Sequence, residues 1–323
     1  MAELTAQKNK KSKKSDFIQK FSTILILVVL MIAISIMKPV FMTTNNLMTI
    51  LLQTAVIAVI AIGETLVIIT SGIDLSVGSL VAIAGVAAAT FMTGGMSVLL
   101  ACILGVLIST ACGVVSGFVI TKGHIPEFIV TLGMMSIVRG AALVVTEGLP
   151  VSGLPQSFQV IGAGKVFGVI PVPAIIMVIL AVIFAFVLRK TLLGRYTYAI
   201  GSNEEATKLS GINTDRIKIT IYGLSGLLSG IAGILLTSRL ISAQPTAGTG
   251  YELDAIAATV IGGASLAGGE GSISGAIIGA LIMGVLRNGL NLLNVSAFWQ
   301  QIIIGAIIIA AVYGDKLKNK KLN

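Results

Sequence analysis

The sequence has little charge, few aromatic residues and a single histidine, and each shortage excludes a class of protein. Of its 323 residues, 11% are charged and 5% are aromatic, whereas soluble chains carry about 25% charged residues. A water-facing globular protein is therefore excluded. His124 lacks the partners of a Ser/His/Asp triad, a HExxH zinc site or a His/Cys ligand cluster. We expect no catalytic residues and no metal site.

Other reactive residues are equally sparse. Cys102 and Cys112 lie in one apolar run, at a spacing that fits neither a disulfide framework nor a metal site. The one Gly-Lys pair, at Gly164, lacks the other residues of a phosphate-binding loop, so the chain is expected to bind no nucleotide or other cofactor itself. Asp74 and Asp254 share no apolar context that would suit an aspartyl protease. The sequence therefore disfavours an enzyme.

Apolar residues are abundant and occur in long runs, which is typical of a membrane protein. They make up 55% of the chain, whose mean hydropathy is +1.02. Crossing a hydrocarbon core of about 30 Å takes about 20 apolar residues in a helix. The apolar segments lie at 21–37, 47–70, 76–93, 97–120, 126–146, 172–188, 217–240, 254–267, 272–294 and 297–314. We predict an all-α, polytopic membrane protein in which residues 21–314 form about ten transmembrane helices, and the third and eighth segments have the least distinct limits.

Lysine and arginine are concentrated in three places, which predicts the orientation in the bilayer. Six lysines lie within residues 1–20, four lie within 315–323, and six basic residues lie from Arg189 to Lys218. Cytoplasmic segments of membrane proteins are enriched in Lys and Arg. We therefore expect both basic tails and the loop 189–216 to be cytoplasmic. The net charge of +9 is explained by orientation, and we expect no binding to nucleic acid.

The longest of these loops contains the signals of a short helix. Ser202 or Asn203 can cap its first turn, which contains Glu204 and Glu205. Gly211 can take the left-handed conformation that ends a helix. The sequence predicts a helix of about two turns between them.

This short helix has a small apolar face, formed by Ala206, Leu209 and Ile212. An isolated helix of this length is marginally stable in water. It therefore rests either on its own transmembrane bundle or on a partner protein, and the residues leave both alternatives open.

The loop resembles the cytoplasmic coupling segment of ABC importer permeases for monosaccharides, a branch that includes the ribose import permease. The family's loop reads approximately GRxxYAIGGNxEAAxLSGIxxxRxK. The matching residues here are Gly194, Arg195, Tyr198, Ala199, Ile200, Gly201, Asn203, Glu205, Ala206, Leu209, Ser210, Gly211, Ile212, Arg216 and Lys218. Ser202 departs from the glycine that many relatives have.

The resemblance extends to three further stretches. GIDLSVGS at 72–79 is similar to the family's signature after its second helix, and GGASLAGGEGSISGA at 262–276 to its glycine-rich stretch. NGLNLL at 288–293 is similar to its penultimate helix. The similarity therefore covers nearly the whole chain outside the basic amino-terminal tail.

The family resemblance implies an architecture like that of the cobalamin-importer permease, in the bacterial cytoplasmic (inner) membrane. The chain would work as a homodimer with its pore between the two copies. An extracytoplasmic sugar-binding protein would deliver the substrate, and a cytoplasmic ABC ATPase would use ATP and Mg²⁺. Ribose is the first expectation, and another sugar, a nucleoside or a sugar-like signal is the alternative. The residues implied to contact the ATPase are Ser202, Asn203, Glu205, Ala206, Leu209, Gly211 and Ile212.

Polar residues inside apolar segments are candidates for the substrate path, because polar groups are costly in hydrocarbon. Arg287, Asn291 and Asn294 recur at helical spacing beside Asn288, and this face can line a path or hold a neighbouring helix. Asp74 and Ser76 lie in a loop short enough to fold back among the helices. The candidate path residues are Asp74, Ser76, Asn288, Asn291 and Asn294.

A different class of function, an ion-coupled secondary carrier, would need titratable groups within the membrane. Glu64 and Arg139 are the residues that qualify, and they can pair with each other or with backbone groups. The outer segment 243–254 is polar and glycine-rich, so it is a candidate face for a binding protein.

Overall fold

A computed structural model describes residues 23–320, and most of this range is helical. The tail predicted at 1–20 and the last three residues of the tail predicted at 315–323 lie outside the described residues. The helices are α1 (Thr23–Met37), α2 (Thr44–Ile69), α3 (Val77–Thr93), α4 (Val98–Gly123), α5 (Glu127–Thr146), α6 (Gln159–Ala163), α7 (Val172–Lys190), α8 (Leu192–Ser202), α9 (Glu204–Leu209), α10 (Thr214–Leu240), α11 (Tyr251–Ile261), α12 (Ile273–Leu292) and α13 (Ala297–Lys320). Two 3₁₀ turns (Pro39–Met42 and Gln156–Phe158) and a hairpin of two-residue strands, β1 (Lys165–Val166) and β2 (Ile170–Pro171), complete the fold.

Seven helices in the described range are long and apolar enough to cross a membrane. They are α2, α4, α5, α7, α10, α12 and the part of α13 at Ala297–Gly314. Helices α1 and α3 are apolar but shorter, and α11 has 11 residues. At 1.5 Å per residue, α11 is about 16 Å long, which is about half of a hydrocarbon core. The structure therefore supports a polytopic membrane protein with seven candidate spans, and helix length does not confirm about ten.

The eighth predicted segment, 254–267, differs most from the structure. Helix α11 begins three residues earlier and ends at Ile261, because Gly262 and Gly263 follow. Gly263 has a φ of 96°, a left-handed conformation that glycine adopts without strain and that terminates helices. The prediction of a helix through residue 267 is wrong, and an irregular loop connects Gly262 to α12.

Helix α10 lies at the centre of the bundle and packs against α2, α3 and α4. Glycine allows this close approach, since a Cβ added at Gly226 or Gly230 would press on the backbone of α4. Ser109 Oγ on α4 donates a hydrogen bond of 2.7 Å to the carbonyl of Gly226. Gly275 and Gly279 bring α12 equally close to α11. Glycines spaced four apart thus pack membrane helices tightly here.

Candidate functional site

The short helix predicted in the loop 189–216 is present as α9. Asn203 caps it, since its Oδ1 accepts a hydrogen bond of 2.8 Å from the N–H of Ala206. Ser202, the other candidate cap, ends α8 instead and donates to the carbonyl of Tyr198 at 2.9 Å. Gly211 has a φ of 83° just after the helix. The predicted helix, its Asn203 cap and its terminating glycine are confirmed.

One face of α9 is apolar and exposed. Leu209 is 90% exposed, Ala206 is also exposed, and Ile212 is half-buried. The opposite face is buried at Thr207, which donates to the carbonyl of Asn203 at 2.7 Å. The helix therefore rests on its own bundle through one face and leaves the other open. An exposed apolar surface of this kind is typical of an interaction site.

Ion pairs fix α9 to the transmembrane helices. Lys218 on α10 lies between two carboxylates, 2.7 Å from Glu204 on α9 and 2.9 Å from Glu127 on α5. Glu204 also pairs with Lys208 at 2.8 Å. Partial burial acts to raise the pKa of Glu204, but hydrogen bonds from Lys208 and Lys218 outweigh it and leave that pKa below its ordinary value. The cluster links α9, α10 and α5.

Glu204 is not among the site residues predicted from the sequence. The spacing of Glu204 and Lys208, four residues apart, is a signal for a helical ion pair that was available in the sequence. The bond to Lys218 had no local signal, because that residue lies beyond the end of α9 and meets it only in the folded chain.

Helix α8, which the sequence analysis did not predict, joins α9 to the glycine-rich loop at 262–272. Gly201 lies so close to the carbonyl oxygen of Ile69, at the end of α2, that an added Cβ would overlap it. The same oxygen accepts a hydrogen bond of 2.9 Å from the N–H of Gly269. Tyr198 Oη donates to the carbonyl of Gly271 at 2.7 Å. Two of the stretches on which the family resemblance rests are therefore in contact.

The segment containing Asp74 and Ser76 folds back into the protein. Asp74 is fully buried, and its N–H donates to Glu64 on α2 at 3.2 Å. Its carboxylate accepts hydrogen bonds from Ser76 Oγ at 2.6 Å and from Ser225 Oγ on α10 at 2.8 Å. Protein surrounds this irregular backbone, as is required at membrane depth. Contact of Asp74 or Ser76 with a passing sugar stays a prediction.

A second irregular segment, between α10 and α11, also enters the bundle. Arg139 Nη1 on α5 donates to the carbonyls of Pro245 and Ala247 at 2.8 and 2.6 Å. The carbonyl of Gly248 lies against Gly78 at the start of α3, so the two irregular segments meet.

Glu64 and Arg139 therefore each bind backbone groups, which is the second of the two pairings that the sequence left open. The candidate face at 243–254 is partly inside the protein, since Ala243 and Asp254 are buried. Binding of a partner to the rest of that segment stays a prediction.

The asparagines of the ninth segment bind neighbouring elements. Asn288 on α12 and Asn46 on α2 exchange two hydrogen bonds between their amides, of 2.9 and 3.0 Å. Asn291 accepts a hydrogen bond of 2.8 Å from Gln300 on α13. Asn294 has a φ of 57°, in the turn between these helices. Asn288 and Asn291 thus hold neighbouring helices. That Asn288, Asn291 and Asn294 line a sugar path stays a prediction.

Arg287, on the same face, binds Asp254 on α11. Its Nη2 donates to both carboxylate oxygens, at 2.7 and 2.6 Å. The side chain of Asp254 is 3% exposed, whereas that of Arg287 is 42% exposed. The pair lines a small pocket together with Gln53 on α2. Helical spacing placed Arg287 on a polar face but could not identify its partner.

The described residues offer no group of three or more His, Cys, Asp and Glu side chains that could hold a metal ion. Cys102 and Cys112 are both half-buried on α4 and unpaired with each other. The buried carboxylates of Asp74 and Asp254 accept hydrogen bonds from hydroxyl and guanidinium groups of the chain itself, which offset the cost of removing the carboxylates from water.

The chain is similar to known transport permeases over most of its length. A family described as "Branched-chain amino acid transport system / permease component" matches residues 46–312. The ribose import permease protein of Escherichia coli (strain K12) is 50% identical over 300 residues, which cover 92% of this chain and 93% of that protein. Its namesake from Bacillus subtilis (strain 168) is 48% identical over 320 residues, covering 98% and 99%. The D-allose transport system permease protein of Escherichia coli (strain K12) is 39% identical over 306 residues, covering 94% of each. No solved structure matches the chain.

Proposed function

The chain belongs to the family of transport-system permease components that matches residues 46–312, and from this premise we propose that it is the membrane-spanning subunit of an ATP-driven importer for ribose. The observation that supports ribose is identity of 50% and 48% to two ribose import permeases over more than nine-tenths of the chain. In this family ATP hydrolysis belongs to a separate subunit. The chain is therefore a transport subunit and not an enzyme.

The cytoplasmic partner is an ABC ATPase, and α9 is its binding site. The exposed Leu209 and Ala206 supply an apolar surface, and the segment that contacts the ATPase consists of Ser202, Asn203, Glu205, Ala206, Leu209, Gly211 and Ile212. When the ATPase binds ATP and Mg²⁺ and closes, it displaces α9. The ion pairs of Lys218 with Glu204 and Glu127 then transmit this displacement to α10 and α5.

The architecture is that of about ten crossings, like the cobalamin-importer permease. The seven long helices supply seven crossings, and α1, α3 and α11 complete them together with the irregular segments that enter the bundle. An even number of crossings places both termini on the same side of the membrane, and the basic residues at 1–20 and 315–323 assign that side to the cytoplasm. The chain lies in the bacterial inner membrane as a homodimer with its pore between the copies.

On the outer side, an extracytoplasmic sugar-binding protein delivers the substrate. Asp74, Ser76, Asn288, Asn291 and Asn294 lie along or beside the route, where their hydrogen-bonding groups suit a polyhydroxylated ligand. The buried bonds of Asp74 with Ser76 and Ser225 hold α3 against α10, and they move as a unit when the route opens.

A second sugar is the nearest alternative, because a D-allose permease is 39% identical over nearly the whole chain. An ion-coupled secondary carrier is less well supported. Glu64 and Arg139, its candidate coupling residues, bind separate backbone groups and do not form a connected pair.

Uptake of radiolabelled ribose into proteoliposomes tests the proposal. The vesicles contain this chain with its ATPase, the binding protein is added on the side that corresponds to the cell exterior, and xylose, galactose and allose serve as competitors. We expect uptake that needs ATP and all three proteins and that unlabelled ribose alone suppresses. Uptake by this chain alone, driven by an ion gradient, would overturn the importer.

A further inference from the structure

The outer half of α2 has a row of exposed polar side chains on a helix that is mostly apolar. Asn45, Thr49 and Gln53 recur every four residues, so they lie along one side of the helix, and all three are exposed. From Thr54 to Ile69 the helix is almost entirely buried. At 1.5 Å per residue, the row is about 12 Å long. Polar side chains at membrane depth face a protein surface or a water-filled cavity, because exposure to lipid is unfavourable.

Two cavities adjoin this row. The outer cavity has a volume of about 390 Å³ and is lined by Asn45 and Thr49 together with the β1–β2 hairpin. The inner pocket is smaller, about 40 Å³, and is lined by Gln53 and by the ion pair of Asp254 with Arg287. The row thus connects a cavity at the outer end of α2 with an ion pair deeper in the bundle.

The inner pocket also contains a buried hydroxyl group with no partner. Thr54 is 2% exposed, and its Oγ1 accepts and donates no hydrogen bond within residues 23–320. It faces Gly284 on α12, where an added Cβ would overlap that oxygen. The hydroxyl is closed off by this packing, so Thr54 marks the tight contact of α2 with α12 at the base of the pocket.

The groups around the pocket match the chemistry of a sugar. Amide and hydroxyl groups both donate and accept hydrogen bonds, as sugar hydroxyls do, and a guanidinium has five N–H donors. Both bonds from Arg287 to Asp254 come from one nitrogen, Nη2, and the arginine side chain is 42% exposed. Its other two nitrogens therefore remain available to donate. The inner wall is apolar, formed by Ile57, Ala280 and Met283.

We propose that the row Asn45, Thr49 and Gln53 lines the outer half of the sugar's route and leads to Gln53 and Arg287 at the mouth of the inner pocket. There the amide and the guanidinium exchange hydrogen bonds with hydroxyl groups of a monosaccharide that lies outside the pocket, which is too small to hold it. Asp254 holds Arg287 in place. This inference rests on the proposed function and assigns route residues other than the five predicted from the sequence.

Labelling of a single cysteine tests it in the assembled transporter. Gln53→Cys is made in a chain that carries Cys102→Ala and Cys112→Ala, and a charged, membrane-impermeant methanethiosulfonate is added outside during ATP turnover with the binding protein. Leu107→Cys is the matched control, because Leu107 is exposed and lies nine residues into α4, as Gln53 lies nine residues into α2. Thr49→Cys is the second test position, in case Gln53→Cys fails to insert.

A water-filled route predicts labelling of Gln53→Cys at least about tenfold faster than of Leu107→Cys, since hydrocarbon excludes a charged reagent. Labelling should also stop sugar uptake, while hydrolysis of ATP stimulated by the binding protein continues. Labelling as slow as that of the control would place the row against lipid and overturn the inference. Neither labelling result depends on ribose being the sugar.

Discussion

The amide pair of Asn46 and Asn288 joins two helices that are 242 residues apart in the sequence. Asn288 is 7% exposed, so its amide has little access to water if its partner is removed. If Asn288 is removed instead, the amide nitrogen of Asn46 still donates to the carbonyl of Phe41 at 2.9 Å, so Asn46 loses only part of its hydrogen bonding. Hydrogen bonds between membrane helices contribute about 0.6–2 kcal/mol each, and leaving a partner unsatisfied costs more.

Asn46→Leu is therefore expected to lower the free energy of unfolding by about 1–3 kcal/mol, because it leaves the buried amide of Asn288 unpaired. Denaturation of the purified protein in detergent measures the change. The double variant Asn46→Leu/Asn288→Leu should lose less than the sum of the two single variants, because it leaves no orphaned amide. Strict additivity would show that the two amides do not interact.

Glu204 makes the attachment of α9 sensitive to acid. The pKa of Glu204 in the folded chain lies below its ordinary value of 4.5. Its ion pairs therefore contribute their full stability above pH 4.5, and this contribution is lost as the pH falls through the lowered pKa of the folded chain. A nitroxide on Ser210→Cys, in a background without the two native cysteines, reports the change. We expect its mobility to rise in acid below about pH 4.5.

The control for this titration is Glu204→Gln, which removes the titrating group. In that background the label should be mobile already at neutral pH, and acid should change it little. Constant mobility of the label on the chain with native Glu204, from neutral pH down to about pH 3, would show that the ion pairs with Lys208 and Lys218 do not hold α9.

At the scale of elements, α8 is the helix that holds the loop 189–216 against the end of α2. The contact depends on the absence of a side chain at Gly201, where an added Cβ would overlap the carbonyl of Ile69. That carbonyl also accepts from Gly269, so displacing it disturbs the glycine-rich loop as well. Helix α9 would then lose its fixed position relative to α10.

Gly201→Ala is expected to destabilise the chain by about 1–3 kcal/mol through overpacking and to reduce uptake per ATP hydrolysed. Gly133→Ala on α5 is the matched control, because a Cβ there meets no atom within 4 Å and alanine favours helix over glycine. Thermal unfolding in detergent and coupled uptake assays compare the two variants. Equal stability and equal coupling would contradict the assigned contact.

Local signals predicted α9 but not α8, and the reason is physical. The cap at Asn203 and the terminating Gly211 lie within nine residues of one another, so the sequence contains both ends of α9. A single residue separates α8 from the end of α7. The packing of α8 is set by contacts with Ile69 and Gly271, which are distant in the sequence. Likewise, helical spacing identified the polar face of Arg287, but its partner Asp254 depends on how α11 and α12 meet.

At the scale of the whole molecule, burial divides the membrane helices into two groups. Helices α2 and α10 are mostly buried and α12 is about half buried, whereas most residues of α4, α5, α7 and α13 are at least partly exposed. Exposed apolar side chains on long helices are what a lipid-facing surface requires. Hydropathy found both groups of helices, but it could not distinguish inner from outer ones, because the mean hydropathy of the two groups overlaps.

The orientation in the bilayer is a prediction at this scale. Basic residues at 315–323 and in the loop 189–216 favour the cytoplasm. A green fluorescent protein fused to the carboxyl terminus should fluoresce, and an alkaline phosphatase at the same place should be inactive. An active phosphatase would invert the topology and move α9 to the wrong side for an ATPase.

The central claim is that the exposed apolar face of α9 binds the ATPase, and the affinity of the ATPase for the purified permease tests it most directly. Leu209→Asp should weaken binding at least about tenfold, because it places a charge at the centre of the contact. Leu192→Asp, at another exposed leucine on the same loop, is the control and should bind normally. Unchanged affinity for Leu209→Asp would contradict the claim.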